Sequence, residues 1–552
     1  MKKRIAKIIV IVSVALTSVV SVGYVDSYFE VSKNLDIFAT LFRELNIYYV
    51  DGADPGKLVK TGIDAMLESL DPYTNYIPES NIEDYKMMTT GQYGGIGALI
   101  QKQGDYVVIS EPYEGFGAYK AGLIAGDKIL EVDGKSVQGK NTTDIREFLL
   151  GQPGTSIELT IERPGTADPF VKTVVREEVK IKDVPYYSVL ADSVGYIKLN
   201  SFTETAGKEV KDAFMELKGQ NITSLILDLR GNGGGLLKEA VSIVNFFVPK
   251  GTEIVSTKGK IKDWDKTYVA EAVPLDTEMP LVVLIDGGSA SASEIVSGSL
   301  QDNDRAVVIG SQSFGKGLVQ SVRPLSYNSK LKVTVAKYYT PSGRCIQKLD
   351  YTHRSDDGKV TAVADSLITE FKTLKNKRPV FDGKGIAPDI KIKRDPSSDI
   401  SVSLLTKNFF FGYATEYKLK HDSVLPASEF TLTDEDYQDF VNYLSDKDYS
   451  YTTQSEDLLA KLEETTKEEK YFEDVQKEYD LLKERLTHHK KNDLFTFKDE
   501  INSILETEIV GRYYYQKGQI EVSLKRDPNI KEAVKTLKSR EAFDAVLAGP
   551  SK

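Results

Sequence analysis

Residues 281–295 read LVVLIDGGSASASEI, and this stretch decides the fold around it. Leu281–Ile285 is an unbroken apolar run, short enough for a strand and apolar enough to be buried on both faces. Asp286-Gly287-Gly288 ends it in a turn, and Ser293–Leu300 then reads as a helix. A buried strand that passes through small residues into a helix is the repeating unit of a parallel sheet. The pattern recurs at Leu225–Leu229 with Leu236–Phe247, and a further strand is predicted at Ala306–Ile309. Residues from about 193 to 392 therefore read as an α/β core with largely parallel strands.

A serine at such a junction has its hydroxyl at the C-terminal edge of the sheet, beside helix N–H groups that favour developing negative charge. The competing reading is local. Ser291-x-x-Glu294 matches a capping box, in which hydroxyl and carboxylate satisfy backbone donors. A second element, Ser313–Gln320 (SFGKGLVQ), follows the strand at Ala306–Ile309. Lys316 lies between two glycines, and Phe314, Leu318 and Val319 offer the apolar surroundings that lower a lysine pKa toward that of a base. Its plain alternative is an exposed turn lysine. A phosphate loop is excluded, because Gly317 follows Lys316 where Ser or Thr is required. The third element, Leu225–Gly235 (LILDLRGNGGG), ends a buried strand in a glycine turn that can present half of an oxyanion hole or simply turn the chain.

Only four histidines are present. His421, His488 and His489 fall in the tail and His353 in a polar stretch, so none stands at a strand end to complete a Ser–His–Asp triad. No H-E-x-x-H motif and no His/Cys cluster supports metal hydrolysis, and the single cysteine, Cys345, excludes an internal disulfide.

Outward from the core, a chain of 552 residues is too long for one domain. Hydrophobic residues at 41% and charged residues at 28% indicate a globular protein, and a net charge of −11 argues against nucleic acid as a partner. Lys2-Lys3-Arg4 precedes an apolar run from Ile8 to Val25, which reads as a signal anchor or signal peptide over 1–32, with the uncleaved anchor favoured. The preceding positive charges place the body of the protein outside the cytoplasmic membrane, in the cell envelope. Residues 33–90 carry helical spacing and 91–184 short strands with glycine turns. The core is assigned to 185–402, and 403–552 reads as a Glu/Lys-rich helical extension that either packs on the core or mediates homodimerisation.

Taken together, Ser289–Ile295 (SASASEI), Phe314–Val319 (FGKGLV) with Gln320, Asp228–Gly235 (DLRGNGGG) and Gly383–Ile390 (GKGIAPDI) resemble the carboxyl-terminal processing peptidases, over roughly Asn34 to Ile392. The resemblance implies an α/β protease core of the crotonase/ClpP type and a serine endopeptidase needing no metal or organic cofactor. In the family pattern the nucleophile stands 25 residues before the lysine, which selects Ser291 over Ser289 and Ser293. Lys316 is then the general base, with Gln320, one turn on, orienting its amine. Ala292 and a glycine of the 233–235 turn, Gly235 foremost, would supply the oxyanion N–H groups. The family also places a PDZ domain before the core. Tyr93–Ile100 (YGGIGALI) resembles its carboxylate-binding loop, so Gly94, Gly95, Ile96 and Gly97 are expected to hold a peptide C-terminus, with the peptide pairing on the strand from Ile96. A non-catalytic PDZ scaffold is the rival reading, and a Ser–Lys esterase or amidase a second.

Overall fold

The computed structural model describes residues 28–549, apart from 356–358, 394–395 and 491. The apolar run Ile8–Val25 lies outside the described residues, among which no helix is long and apolar enough to cross a membrane. The chain divides into two units, Met1–Tyr76 with Leu331–Val333, and Ile77–Lys330 with Thr334–Lys552. The first holds a helix over 28–48 and a second, Pro55–Glu68. Asp54 caps the second by accepting from the N–H groups of Gly56 and Lys57 at 2.9 and 3.1 Å, and Pro55 sits where its missing donor is not needed.

In the second unit, alternating burial builds a β-rich module. Along Ser156–Glu162 the inward residues are Ile157, Leu159 and Ile161, every second position, as a half-buried strand requires. The strands run in the order Ala98–Gln103, Tyr106–Pro112, Lys128–Val132, Ser156–Glu162, Phe170–Val175. Helix Thr142–Leu149, closed by a capping box between Asn141 and Asp144, buries Ile145 and Leu149 against them. The expected strand from Ile96 begins instead at Ala98, because Gly97 at φ +71° turns the chain just before it. Ala98–Gln103 is the edge strand of this sheet.

The core sheet has six strands in the order Tyr186–Val189, Val194–Lys198, Ser224–Asp228, Leu281–Ile285, Val307–Gly310, Ile390–Lys391. The first pair is antiparallel and every later pair parallel. Ser224–Asp228 and Leu281–Ile285 are buried at every residue, which demands cover on both faces. Helices Ala206–Gly219, Leu237–Asn245 and Ala292–Asp302 cover one face, through Phe214, Ile243 and Val296 among others. The other face is covered from the far end of the chain. Leu524, Ile530, Ala533, Leu537 and Phe543, chiefly from helices Pro528–Lys538 and Arg540–Ala548, pack on Tyr196, Ile226, Val282, Leu284, Val307 and Ile309. The last helices of the expected extension are thus a layer of the core. The rest of the tail has its own core, with Phe410, Tyr413, Phe440, Leu505 and Ile509 at its centre.

Candidate active site

Three strand ends meet at the carboxyl edge of this sheet. Where Leu281–Ile285 stops, the Asp286 carboxylate accepts from the N–H groups of Gly231 and Gly288 at 2.8 and 2.9 Å, which joins the serine segment to the glycine turn. Two of the three serines are consumed by this junction. Ser289 and Ser293 are fully buried and donate to the carbonyls of Leu229 and Asn232, at 2.9 and 2.8 Å. Ser291 between them is half-buried at the helix N-cap in a capping box with Glu294, and its hydroxyl takes no part in the bonds to the glycine-turn segment. Its backbone sits at φ 54°, ψ −110°, a conformation that costs a non-glycine residue about 1–3 kcal/mol and persists only where neighbours impose it.

The capping-box residue Glu294 is among those neighbours, in a larger role than local spacing suggests. Its side chain is wholly buried. One carboxylate oxygen accepts from the N–H groups of Ser291 and Lys316 at 2.8 and 2.9 Å, and the other from the Ser313 hydroxyl and the Gly315 N–H at 2.6 and 2.7 Å. Burial pushes this carboxyl up to about 7, against the pull of Ser313, Lys316, Ser291 and Gly315. The Tyr338 hydroxyl makes a second bridge, within reach of the carbonyls of Lys316 and of Ser291, the latter at 3.1 Å. Ser291 and Lys316 therefore lie on segments clamped together at their backbones.

Gln320 stands on the strand Leu318–Pro324 and not one helical turn beyond the lysine, because the strand opens two residues after Lys316. Its amide nitrogen donates to Thr334 Oγ1 at 3.2 Å.

In the glycine turn, Gly234 is the residue that faces the serine. A Cβ there would lie 2.9 Å from Ser291 Cβ and 3.0 Å from the Ala292 nitrogen, at φ +100°. Gly235 lies against Phe202 instead. The Gly234 carbonyl and the Leu236 N–H both bond Phe202, at 3.2 and 2.8 Å, which turns the Gly235 N–H to the opposite side. The Gly234 N–H is committed to Asn232 Oδ1 at 2.9 Å. The Ala292 N–H belongs to the first turn of its helix, where donors find no partner within the helix.

Within the β-rich module, a cavity of about 270 Å³ is lined by Tyr93, Ile96, Gly97, Leu99, Ile100 and Arg146 among others, alongside the edge strand. Of the four residues expected to hold a peptide, Ile96 and Gly97 line it. Gly94 and Gly95 are held in antiparallel register with Glu178 and Glu177.

Residues 193–353 match the peptidase family S41, residues 108–163 the PDZ domain, and residues 400–537 the family described as "Probable PDZ-protease, C-terminal helical domain". A carboxy-terminal-processing protease of Bartonella bacilliformis is 39% identical over 384 residues, spanning 67% of this chain and 87% of that protein. A "Probable CtpA-like serine protease" of Staphylococcus aureus is 33% identical over 382 residues, 69% of each. Among solved structures, the photosystem II D1 C-terminal processing protease aligns at 29% identity over 64% of this chain and 92% of that one, with a TM-score of 0.35.

Proposed function

Because this chain belongs to the carboxyl-terminal processing peptidases of family S41 and is a serine-type peptidase with a PDZ domain, we propose that it cleaves proteins captured by their C-termini, with Ser291 as nucleophile and Lys316 as general base. The observation that carries the assignment is the shared clamp: Ser291, alone of three neighbouring serines, is left out of the buried junction, and its N–H and that of Lys316 bond the same oxygen of Glu294.

In this reading the neutral Lys316 amine takes the Ser291 hydroxyl proton as Oγ adds to the scissile carbonyl carbon. The oxygen that gains charge is received by the N–H groups of Ala292 and Gly235. The lysine ammonium then gives its proton to the leaving amine, the C–N bond breaks, and an acyl-enzyme remains. Water loses a proton to Lys316, attacks the ester and releases the carboxylate, with the proton returning to Ser291. Gln320 helps to hold the amine, and the core is of the crotonase/ClpP type, a reading supported by the parallel strands Val194–Lys198, Ser224–Asp228 and Leu281–Ile285, each followed by a helix.

The substrate's C-terminal carboxylate is taken by the backbone at Ile96 and Gly97 while the peptide extends along Ala98–Gln103, the open edge of the module. The protein acts on the extracytoplasmic side, held by its N-terminal segment, a reading supported by Lys2, Lys3 and Arg4 before the apolar run. Purified Ser291→Ala and Lys316→Ala proteins, tested on peptides with free and amidated C-termini, are expected to remain folded and cleave neither. The wild type is expected to prefer the free carboxylate. Retained cleavage by Ser291→Ala sinks the assignment.

A further inference from the structure

The C-terminal helical region reaches the glycine turn through one carboxylate. We propose that Asp527 is a positioning residue that fixes the turn Gly231–Gly235 beside Ser291, so that the tail tunes the reaction and does more than cover the sheet; this rests on the proteolytic reading above.

Asp527 divides its two oxygens. Oδ1 caps helix Pro528–Lys538 by accepting from the Asn529 N–H at 2.8 Å, while Oδ2 accepts from Arg230 Nη1 at 2.5 Å. Arg230 is the residue just before the turn. Its remaining guanidinium nitrogens hold Asp228, Nε at 2.9 Å and Nη2 at 2.6 Å, and Lys198 donates to the Arg230 carbonyl at 2.6 Å. Tyr196 completes the group by donating to Asp228 at 2.8 Å. Burial would raise the Asp228 carboxyl, but Arg230 and Lys198 outweigh it and hold it down at about 2. Two cations thus face two carboxylates, with side-chain exposures of 16% and 18% for Lys198 and Arg230, and 1% and 14% for Asp228 and Asp527. Removing Asp527 leaves this pocket with an uncompensated positive charge, which is costly at such burial.

From Arg230 the chain passes straight into Gly231, whose N–H is pinned to Asp286, and then to Asn232. The Asn232 side chain accepts from Gly234, and its carbonyl accepts from the Ala290 N–H at 3.0 Å. A tilt at Arg230 therefore reaches the residue packed on Ser291 and the N–H of Gly235 within a few bonds. The oxyanion donors matter in the transition state more than in substrate binding, so a misplaced turn lowers kcat and spares KM.

The test compares Asp527→Asn with Ile530→Ala in the full chain. Asparagine keeps an oxygen for the helix cap and turns its amide donors toward Arg230, whereas Ile530→Ala loosens the same helix without touching the carboxylate. Asp527→Asn is expected to lower kcat about tenfold at unchanged KM, to speed amide hydrogen exchange at Gly231–Gly235, and to add nothing further when combined with Arg230→Gln. Ile530→Ala is expected to lower the unfolding midpoint and leave kcat in place. Unchanged kcat and exchange in Asp527→Asn overturn the proposal, as does an equal loss of kcat in Ile530→Ala. Amide exchange reads the turn without any substrate, so it decides the positioning role even if wild type and Ser291→Ala behave alike toward peptides and the proteolytic reading itself fails.

Discussion

Replacing Glu294 with glutamine changes one atom of the clamp and should disable it. The carboxylate accepts two donors on each oxygen, the N–H groups of Ser291 and Lys316 on one and the Ser313 hydroxyl with the Gly315 N–H on the other. Glutamine has one oxygen; with its NH2 turned to the Ser313 side, where the hydroxyl can accept, it still confronts the Gly315 N–H, and turned the other way it confronts the N–H groups of both Ser291 and Lys316. At least one hydrogen bond to a charged group is lost, at about 1.5–3 kcal/mol. Part of that is relieved if the loop carrying Lys316 draws back from Ser291, and a shift of about 1 Å between reacting groups costs about 10²-fold in rate.

The assay is kcat on a peptide substrate across pH, with urea unfolding of the same samples. The proposed mechanism requires Glu294 ionised, so that it only accepts, and Lys316 neutral. Log kcat of the wild type should therefore fall on the acid side with a slope of about two, and that of Glu294→Gln with a slope of about one. Stability moves the other way. Burial raises the Glu294 carboxyl from 4.5 to about 7, so its contribution is full below 4.5 and is lost as pH climbs to about 7. The wild type should lose stability across the window in which it gains activity, and the glutamine variant should lack that contribution. A Glu294→Gln protein with wild-type kcat and an unchanged acid slope would refute the clamp.

Gly234→Ala places a methyl group 2.9 Å from Ser291 Cβ, 3.0 Å from the Ala292 nitrogen and 2.7 Å from the Ala290 carbonyl oxygen, with no flexible side-chain end to yield. A loss in kcat of about 10²-fold or more is expected, with unchanged binding of a labelled C-terminal peptide by anisotropy. Ending the chain at Asp399 uncovers Tyr196, Ile226, Val282, Leu284, Val307 and Ile309. At about 1.5–3 kcal/mol for each buried side chain this is about 9–18 kcal/mol, comparable with or above the stability of an ordinary domain. Aggregation is expected by light scattering, and a soluble, active truncation would show that the last helices are dispensable.

The strand, turn and helix units around residues 281–295 and 225–247 were legible because strand and helix periods differ and glycine marks the joins. Spacing alone could not choose among three serines. The physical reason lies in tertiary contacts, since Ser289 and Ser293 are spent on carbonyls of the glycine turn some sixty residues away. Glu294 read as a helix cap, which it is at Ser291; three of its four donors arrive on the loop Ser313–Lys316, which no local rule connects to it. The family resemblance implies Gln320 one turn beyond Lys316, yet Leu318 opens a strand. The tail was visible as amphipathic helices. Its partner was not, although strands apolar at every position already required a second cover.

The cover supplied by Ile530, Leu537 and Phe543 is also the last layer of the core to be synthesised. Synthesis at about 5–20 residues per second places Phe543 about 10–45 seconds behind Lys316. Through that interval a nascent chain carries Ser291 and Lys316 on a half-covered sheet, and a chain stopped early by a nonsense codon or a protease never gains the second layer.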